Sequence, residues 1–206
     1  MTEIPTLHAI RALGNRLRSD TRGAYMIEFA LVMPTFLLLV MGTFDLGVQM
    51  YAKAVLAGAV EQAARANALE SNASDQAPID ATVRARVQEV MSFATVNFTR
   101  TRYVTFSDVS NPEAFTDTNS NGTRDSFECF SDANGNGSYD TDRGGSGQGG
   151  AGDVVLYRAD MTFNRIFPLW RMLGQSQSKT ITVSTVLRNQ PYSNQTDRTV
   201  VICPTP

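Results

Sequence analysis

The sequence predicts an α+β protein in which one long apolar helix carries a small mixed head. Three observations predict it. A run without a single charged side chain, 29–44, follows a basic N-terminal segment. Two stretches with apolar residues at helical spacing come next, within 46–70 and 83–94. The later part of the chain then changes period, with three segments rich in β-formers or alternating apolar and polar residues one by one.

The apolar run sets the first element. At about 1.5 Å per residue, 29–44 makes roughly 24 Å of helix, short of a ~30 Å hydrocarbon core. Beginning at Ala24 instead gives about 31 Å, but Glu28 then lies inside the bilayer. An intramembrane carboxylate costs on the order of 2.5–3.5 kcal/mol even on the lenient insertion scale, which marks it as a functional candidate. The other reading is a slightly short span with Glu28 reaching back to the interface. Local physics leaves the two equal.

The flanks orient the span. Arg11, Arg16, Arg18 and Arg22 precede it against Glu3 and Asp20, while Asp45 and Lys53 follow. The positive-inside bias puts the N-terminus in the cytoplasm and the C-terminal bulk outside. A cleaved secretory signal ending at Ala52-Lys53-Ala54 fits badly, because the apolar run is too long and stops well short of that triplet.

Residues 46–70 are rich in alanine and lack proline. Leu56, Val60, Ala63 and Ala64 share a face, and Glu61 and Arg65 form an i,i+4 pair, so the first helix is expected to continue through this stretch. Mild interruptions are expected at Gly47 and Gly58, and a kink at Pro34. The stripe on this helix is expected to pack in an oligomer, with ordinary core as the alternative. A break at 71–78 leads to a second helix with Val83, Val87, Val90, Met91 and Ala94 on its core face. Strands are expected over 98–106, over 155–163 and over 181–187, with Phe167-Pro168-Leu169-Trp170 as a packed connection. The sum is a long helix against a small antiparallel sheet.

Composition narrows the function. A chain of 206 residues is one domain with an appended segment, and its net charge of −2 argues against a nucleic-acid partner. The single histidine, His8, lies in the polar N-terminal segment, so no nucleophile–base pair can be nominated in the head and no enzyme is expected.

The most chemically loaded segment is 117–143. "DTNSNGTRDSFE" places Asp117, Asn119, Asn121, Gly122, Asp125 and Glu128 at positions 1, 3, 5, 6, 9 and 12 of a calcium loop, with the backbone carbonyl of Thr123 at position 7. "DANGNGSYDTDR" repeats it with Asp132, Asn134, Asn136, Gly137 and Asp140, but Arg143 stands at position 12 and Asp142 is the nearest substitute. Only Cys129, Phe130 and Ser131 separate the loops, which excludes a true pair of EF-hands. Calcium is one reading; a solvated array of Asn-Gly turns is the other. The following "GGSGQGGAG" lacks the Lys-Ser/Thr of a phosphate loop and reads as a flexible linker. Cys129 and Cys203 are expected to form a disulfide in an oxidising compartment, with a free buried pair as the alternative.

Gly23-Ala24-Tyr25-Met26-Ile27-Glu28-Phe29 resembles a type IV prepilin processing site: glycine, four residues, glutamate, then an aromatic. The resemblance implies a cut by a prepilin peptidase between Gly23 and Ala24, leaving Glu28 as the fifth residue of the cut chain. It also implies that Glu28, followed by Phe29, serves assembly by pairing with the N-terminal amine of a neighbouring subunit. "EFALVMPTFLLLVMGTFDLG" together with "TVLRNQPY" is similar to TadE-like proteins, minor pilins or pseudopilins of tight-adherence pili. The 23-residue leader is longer than is general for type IV prepilins.

The division that follows is a cytoplasmic leader, 1–23, removed by cleavage; a transmembrane and extended helix, 24–70; and a periplasmic α+β head, 71–206. The partners implied are the peptidase, other pilins or pseudopilins, and an assembly platform in the inner membrane. The competing expectation is an uncleaved, membrane-anchored calcium-binding domain acting as a surface adhesin or sensor.

Overall fold

The computed structural model describes residues 22–69 and 75–204, together with residue 14. His8, Arg11, Arg16 and Arg18 of the expected leader, and residues 71–74 of the expected break after the first helix, lie outside the described residues.

Helix α1 runs from Arg22 to Asn67 without interruption. Pro34 withdraws one backbone donor inside it, yet the helix carries on, and neither Gly47 nor Gly58 breaks it. The interruptions expected at the two glycines are therefore corrected. One missing hydrogen bond or one flexible residue does not outweigh the cooperative gain of the turns on either side. This is the one described helix long and apolar enough to cross a membrane. Its first half is bare, with Tyr25, Met26, Ile27, Phe29, Leu31 and Val32 all exposed.

The second half of α1 belongs to the head. Ala52, Leu56, Ala59, Val60, Ala63 and Ala64 are buried against helix α2 (Ala77–Val90) and the sheet. The expected oligomer stripe is thus an intramolecular core face. α2 starts with Pro78 in its first turn, where a missing N–H costs nothing, and Asp80 beside it suits the positive end of the helix. It buries Ile79, Val83 and Val87, while Val90 turns outward. Met91 and Ala94 are buried too, but beyond the helix end.

Six strands follow: β1 (Thr95–Tyr103), β2 (Phe130–Asp132), β3 (Gly145–Ser146), β4 (Val154–Asn164), β5 (Ser178–Arg188) and β6 (Val200–Ile202). A short helix, α3 (Leu169–Met172), separates β4 from β5. Strands β3, β1, β4 and β5 form one antiparallel sheet in that order, and β2 pairs with β6 in a second. On β4, Val155, Tyr157, Ala159, Met161 and Phe163 point into the core beneath the helices. Arg158, Asp160 and Thr162 form the opposite face, where Arg158 pairs with Asp160. One face buried and one solvated gives the alternation expected of an antiparallel sheet. The class is α+β.

Strand β1 lies earlier than expected. It stops at Tyr103 because Thr105 and Asp108 cap a tight 3-10 turn, Phe106–Asp108, in place of the strand's last residues. A buried polar cluster locks α2 to the sheet. Arg100 donates to both oxygens of Asp80 at 2.6 and 3.0 Å, and Tyr157 Oη donates to Asp80 at 2.8 Å. Burial, with the Asp80 bond second, pushes the Tyr157 phenol far above its ordinary range.

The glycine-rich stretch after the loops is packed rather than flexible. Gly145 and Ser146 pair with β1, and Gln148 is buried with its amide on the Asn67 carbonyl and Asn189. Gly149, at φ +70°, has room for no Cβ: that atom would sit 2.5 Å from Asp153 Oδ2. Gly144 and Gly149 are there for close approach of the backbone to its neighbours.

Candidate functional site

Gly23, Ala24, Glu28 and Phe29 occupy the first turns of α1, all exposed. Ala24 and Glu28 are four apart and share a face. Among the described residues Glu28 has no ion-pair partner, so the carboxylate stands alone on an otherwise apolar surface. A Cβ added at Gly23 would meet nothing within 4 Å. The fold itself therefore does not require glycine there.

The two loops at 117–143 prove to be copies of one unit. Residues 113–125 read EAFTDTNSNGTRD and residues 128–140 read ECFSDANGNGSYD. In the first, Asp117 accepts the backbone N–H groups of Asn121 (3.1 Å) and Gly122 (2.8 Å). In the second, Asp132 accepts those of Gly135, Asn136 and Gly137. Gly122 and Gly137, at φ +74° and +79°, make the turn possible. Ahead of each loop a phenylalanine, Phe115 or Phe130, meets the edge of Tyr139 at 6.1 and 5.9 Å, and the two phenylalanines bridge by backbone. Arg124 lies over both Phe130 and Tyr139.

A buried glutamate closes each copy. Glu128 takes the N–H of Thr118 at 2.7 Å on one oxygen and that of Asp125 at 3.0 Å on the other. Glu113 does the same for the second loop, accepting from Ala133 at 2.8 Å and Asp140 at 3.1 Å. Both glutamates are 1 % exposed. The second loop thus has its missing glutamate, supplied from ahead of the first. Asp142, the expected substitute, instead accepts from Gly144 N–H and the Tyr103 hydroxyl. Arg143 is drawn away to Asp108 and to the carbonyl of Pro112. The donors shift the titration of Glu128 and Asp132. The Asp125 N–H, with help from Thr118, holds Glu128 below the usual range. Burial pushes Asp132 up, but the N–H groups of Gly137, Gly135 and Asn136 more than offset it and leave it lowered.

The metal question turns on Asp125. Its Oδ2 receives the side-chain amides of Asn119 at 2.7 Å and Asn121 at 3.0 Å, and Asp140 receives those of Asn134 and Asn136 at 2.8 and 2.6 Å. Two amide donors thus occupy one oxygen of each carboxylate, where a cation would otherwise bind. The amide oxygens of Asn119 and Asn121 instead accept the backbone N–H groups of Asn121 and Thr123. Admitting the ion at the first loop requires Asn119 and Asn121 to turn their amides over, so that carbonyl oxygen faces Asp125. Thr123 contributes its N–H to Asn121 at 2.7 Å, which leaves its carbonyl for a ligand. Among the described residues no group of three or more His, Cys, Asp or Glu is arranged to hold a metal.

Cys129 and Cys203 are joined by a disulfide across 74 residues. It sits at the end of the β2–β6 pair, where Phe130 faces Ile202, and fastens the C-terminal strand to the duplicated loops.

Compared with known proteins, the chain matches the family described as TadE-like protein over residues 23–65. The match covers α1 and none of the sheet, and it starts at the glycine of the processing pattern. Over those residues the chain is similar to TadE-like proteins, and the matched helix is long and apolar enough to cross a membrane. No curated protein and no solved structure matches the chain.

Proposed function

We propose that this TadE-like chain is a pilin-like (pseudopilin) subunit that assembles into, or primes, a tight-adherence pilus, with α1 as its polymerisation element. The observation that carries the reading is the TadE-like match beginning at Gly23, on a helix whose first turns are largely apolar and exposed. In this reading a prepilin peptidase cuts between Gly23 and Ala24 on the cytoplasmic side, and the head stands in the periplasm. Glu28 then meets the new N-terminal amine of a neighbour. The partners are other pilins or pseudopilins and the inner-membrane platform, and the head has no catalytic role.

Mass spectrometry of the pilus-associated pool tests this directly. Ala24 is the expected first residue, and Gly23→Arg is expected to leave the chain uncut while the head folds normally. An intact Met1 in the functional pool would overturn the reading and favour an uncleaved, anchored adhesin or sensor.

Calcium at the first loop is a further part of the proposal, favoured by the convergence of Asn119, Asn121 and Asp125. The ligands are Asp117, Asn119, Asn121, the Thr123 carbonyl, Asp125 and Glu128. Because two amides must turn and Glu128 is already engaged, binding is in the weak, extracellular range of about 10⁻⁴–10⁻³ M. Millimolar calcium is expected to raise the melting temperature of the wild type and not of Asp117→Ala. A melt of the wild type that calcium leaves unmoved makes the segment a pure turn array.

A further inference from the structure

At the junction between the bare half of α1 and the head, one short segment reaches back toward the span. After β4 the chain passes through Arg165, Ile166, Phe167 and Pro168 into α3. Leu169 is buried, with Cδ2 3.9 Å from where a Cβ on Gly42 would stand. Trp170 Nε1 donates to Asp45 at 2.9 Å, and the Arg165 guanidinium stacks 4.2 Å over the Trp170 ring with Nε 3.9 Å from Asp45. Gln49 adds a further donor at 2.7 Å. The first charged residue beyond the apolar run is therefore buried and clamped by the head.

The depth of this contact follows from helix geometry. A hydrocarbon core of ~30 Å counted from Ala24 ends near Phe44, so Gly42 lies within it. Leu169 touches α1 at that level. A span placed further along α1 would put the segment deeper. On the outward side of the same segment Ile166, Met172 and Leu173 are 56, 76 and 62 % exposed. Large apolar side chains grouped beside a tryptophan and the exposed Arg171 are the residue types that favour a membrane–water interface.

The geometry points to a second membrane contact: residues 165–173 lie in the headgroup–acyl boundary of the leaflet on the head side. Ile166, Met172 and Leu173 enter the acyl region, Trp170 sits at the interface, and Arg171 faces the lipid phosphates. The head is then pinned to the bilayer at two points, through α1 and through this segment, which fixes its tilt. The inference rests only on α1 crossing a membrane and not on processing or pilus assembly.

Trp170 is the only tryptophan in the chain, so its fluorescence reports this segment alone. The full chain is reconstituted into phosphatidylcholine–phosphatidylglycerol vesicles, and flotation with the vesicles establishes that α1 is inserted. In that sample lipids brominated near the headgroup end of the acyl chain are expected to quench Trp170. The exposed-site double variant Met172→Glu/Leu173→Glu is expected to float as before and lose most of that quenching, whereas Met172→Leu/Leu173→Ile keeps it. A floating wild-type chain that brominated lipid does not quench overturns the inference, and so does a double variant quenched like the wild type. Protection of Trp170 that arises only on assembly into filaments assigns the patch to a neighbouring subunit and overturns it equally.

Discussion

Glu113 and Glu128 share one task, each holding the second and ninth residues of a loop by their backbone N–H groups. An amide side chain cannot accept at both ends, so Glu113→Gln leaves a buried N–H facing a donor and costs about 1–3 kcal/mol. Glu128→Gln adds a pH signature. Donors from Asp125 and Thr118 hold the Glu128 carboxyl below its unfolded value. Its stabilising effect is therefore complete above the ordinary carboxylate range and is lost as pH falls through that range to the lowered folded value. Thermal melts are expected to show Glu128→Gln well below wild type at neutral pH, with the gap closing in acid. A gap independent of pH would remove the carboxylate from the account. Positions 1 to 9 of both loops were legible in the sequence because Asp, Asn and Gly at alternate places encode the turn locally. Glu113 was not. Counting forward from Asp132 ends on Arg143, whereas the residue that closes that loop precedes the other one. The signal was the longer repeat, with glutamate and phenylalanine at matching places before each aspartate.

Strands β1, β4 and β5 announced themselves by composition or by period-two alternation, which depends on little beyond one buried face. Strands β2, β3 and β6 are two or three residues long and exist because a partner lies alongside, so no local pattern marks them. The packed glycines of 144–152 misled for a related reason: glycine permits flexibility and close contact alike, and only the neighbours decide. The α1 stripe carries the same lesson. Periodicity shows that a face is covered but not by what, and here the cover is the chain's own head. Leu56 is fully buried there, while Met50, less than two turns earlier, is 73 % exposed. Leu56→Ala is expected to cost about 2–5 kcal/mol in the head. Met50→Ala is expected to stay within about 0.5 kcal/mol of wild type. Differential melting of the detergent-solubilised chain decides between the two origins of the stripe. A Leu56→Ala chain that melts normally but fails to associate would return it to a subunit interface.

At the scale of the molecule α1 serves two environments, and the division falls at Asp45. Beyond it the helix is one wall of a packed head; before it, no part of the described head covers the helix beyond the contact of Leu169 near Gly42. Glu28 belongs to the bare part, far from every head contact, so it contributes nothing to the fold of the head. Its removal should also favour insertion, because a carboxylate in the hydrocarbon region costs on the order of 2.5–3.5 kcal/mol. Under the proposed function, a residue that helps neither folding nor insertion, yet stands four positions after the proposed new N-terminus, would serve contact with another copy. Glu28→Leu is therefore expected to fractionate with membranes and to melt like wild type, while filaments counted by electron microscopy fall sharply. Glu28→Gln, which keeps a hydrogen-bonding oxygen but loses the charge, is expected to fall between the two. Filament numbers equal to wild type in Glu28→Leu would return the carboxylate to the interface, as a side chain reaching out of a slightly short span.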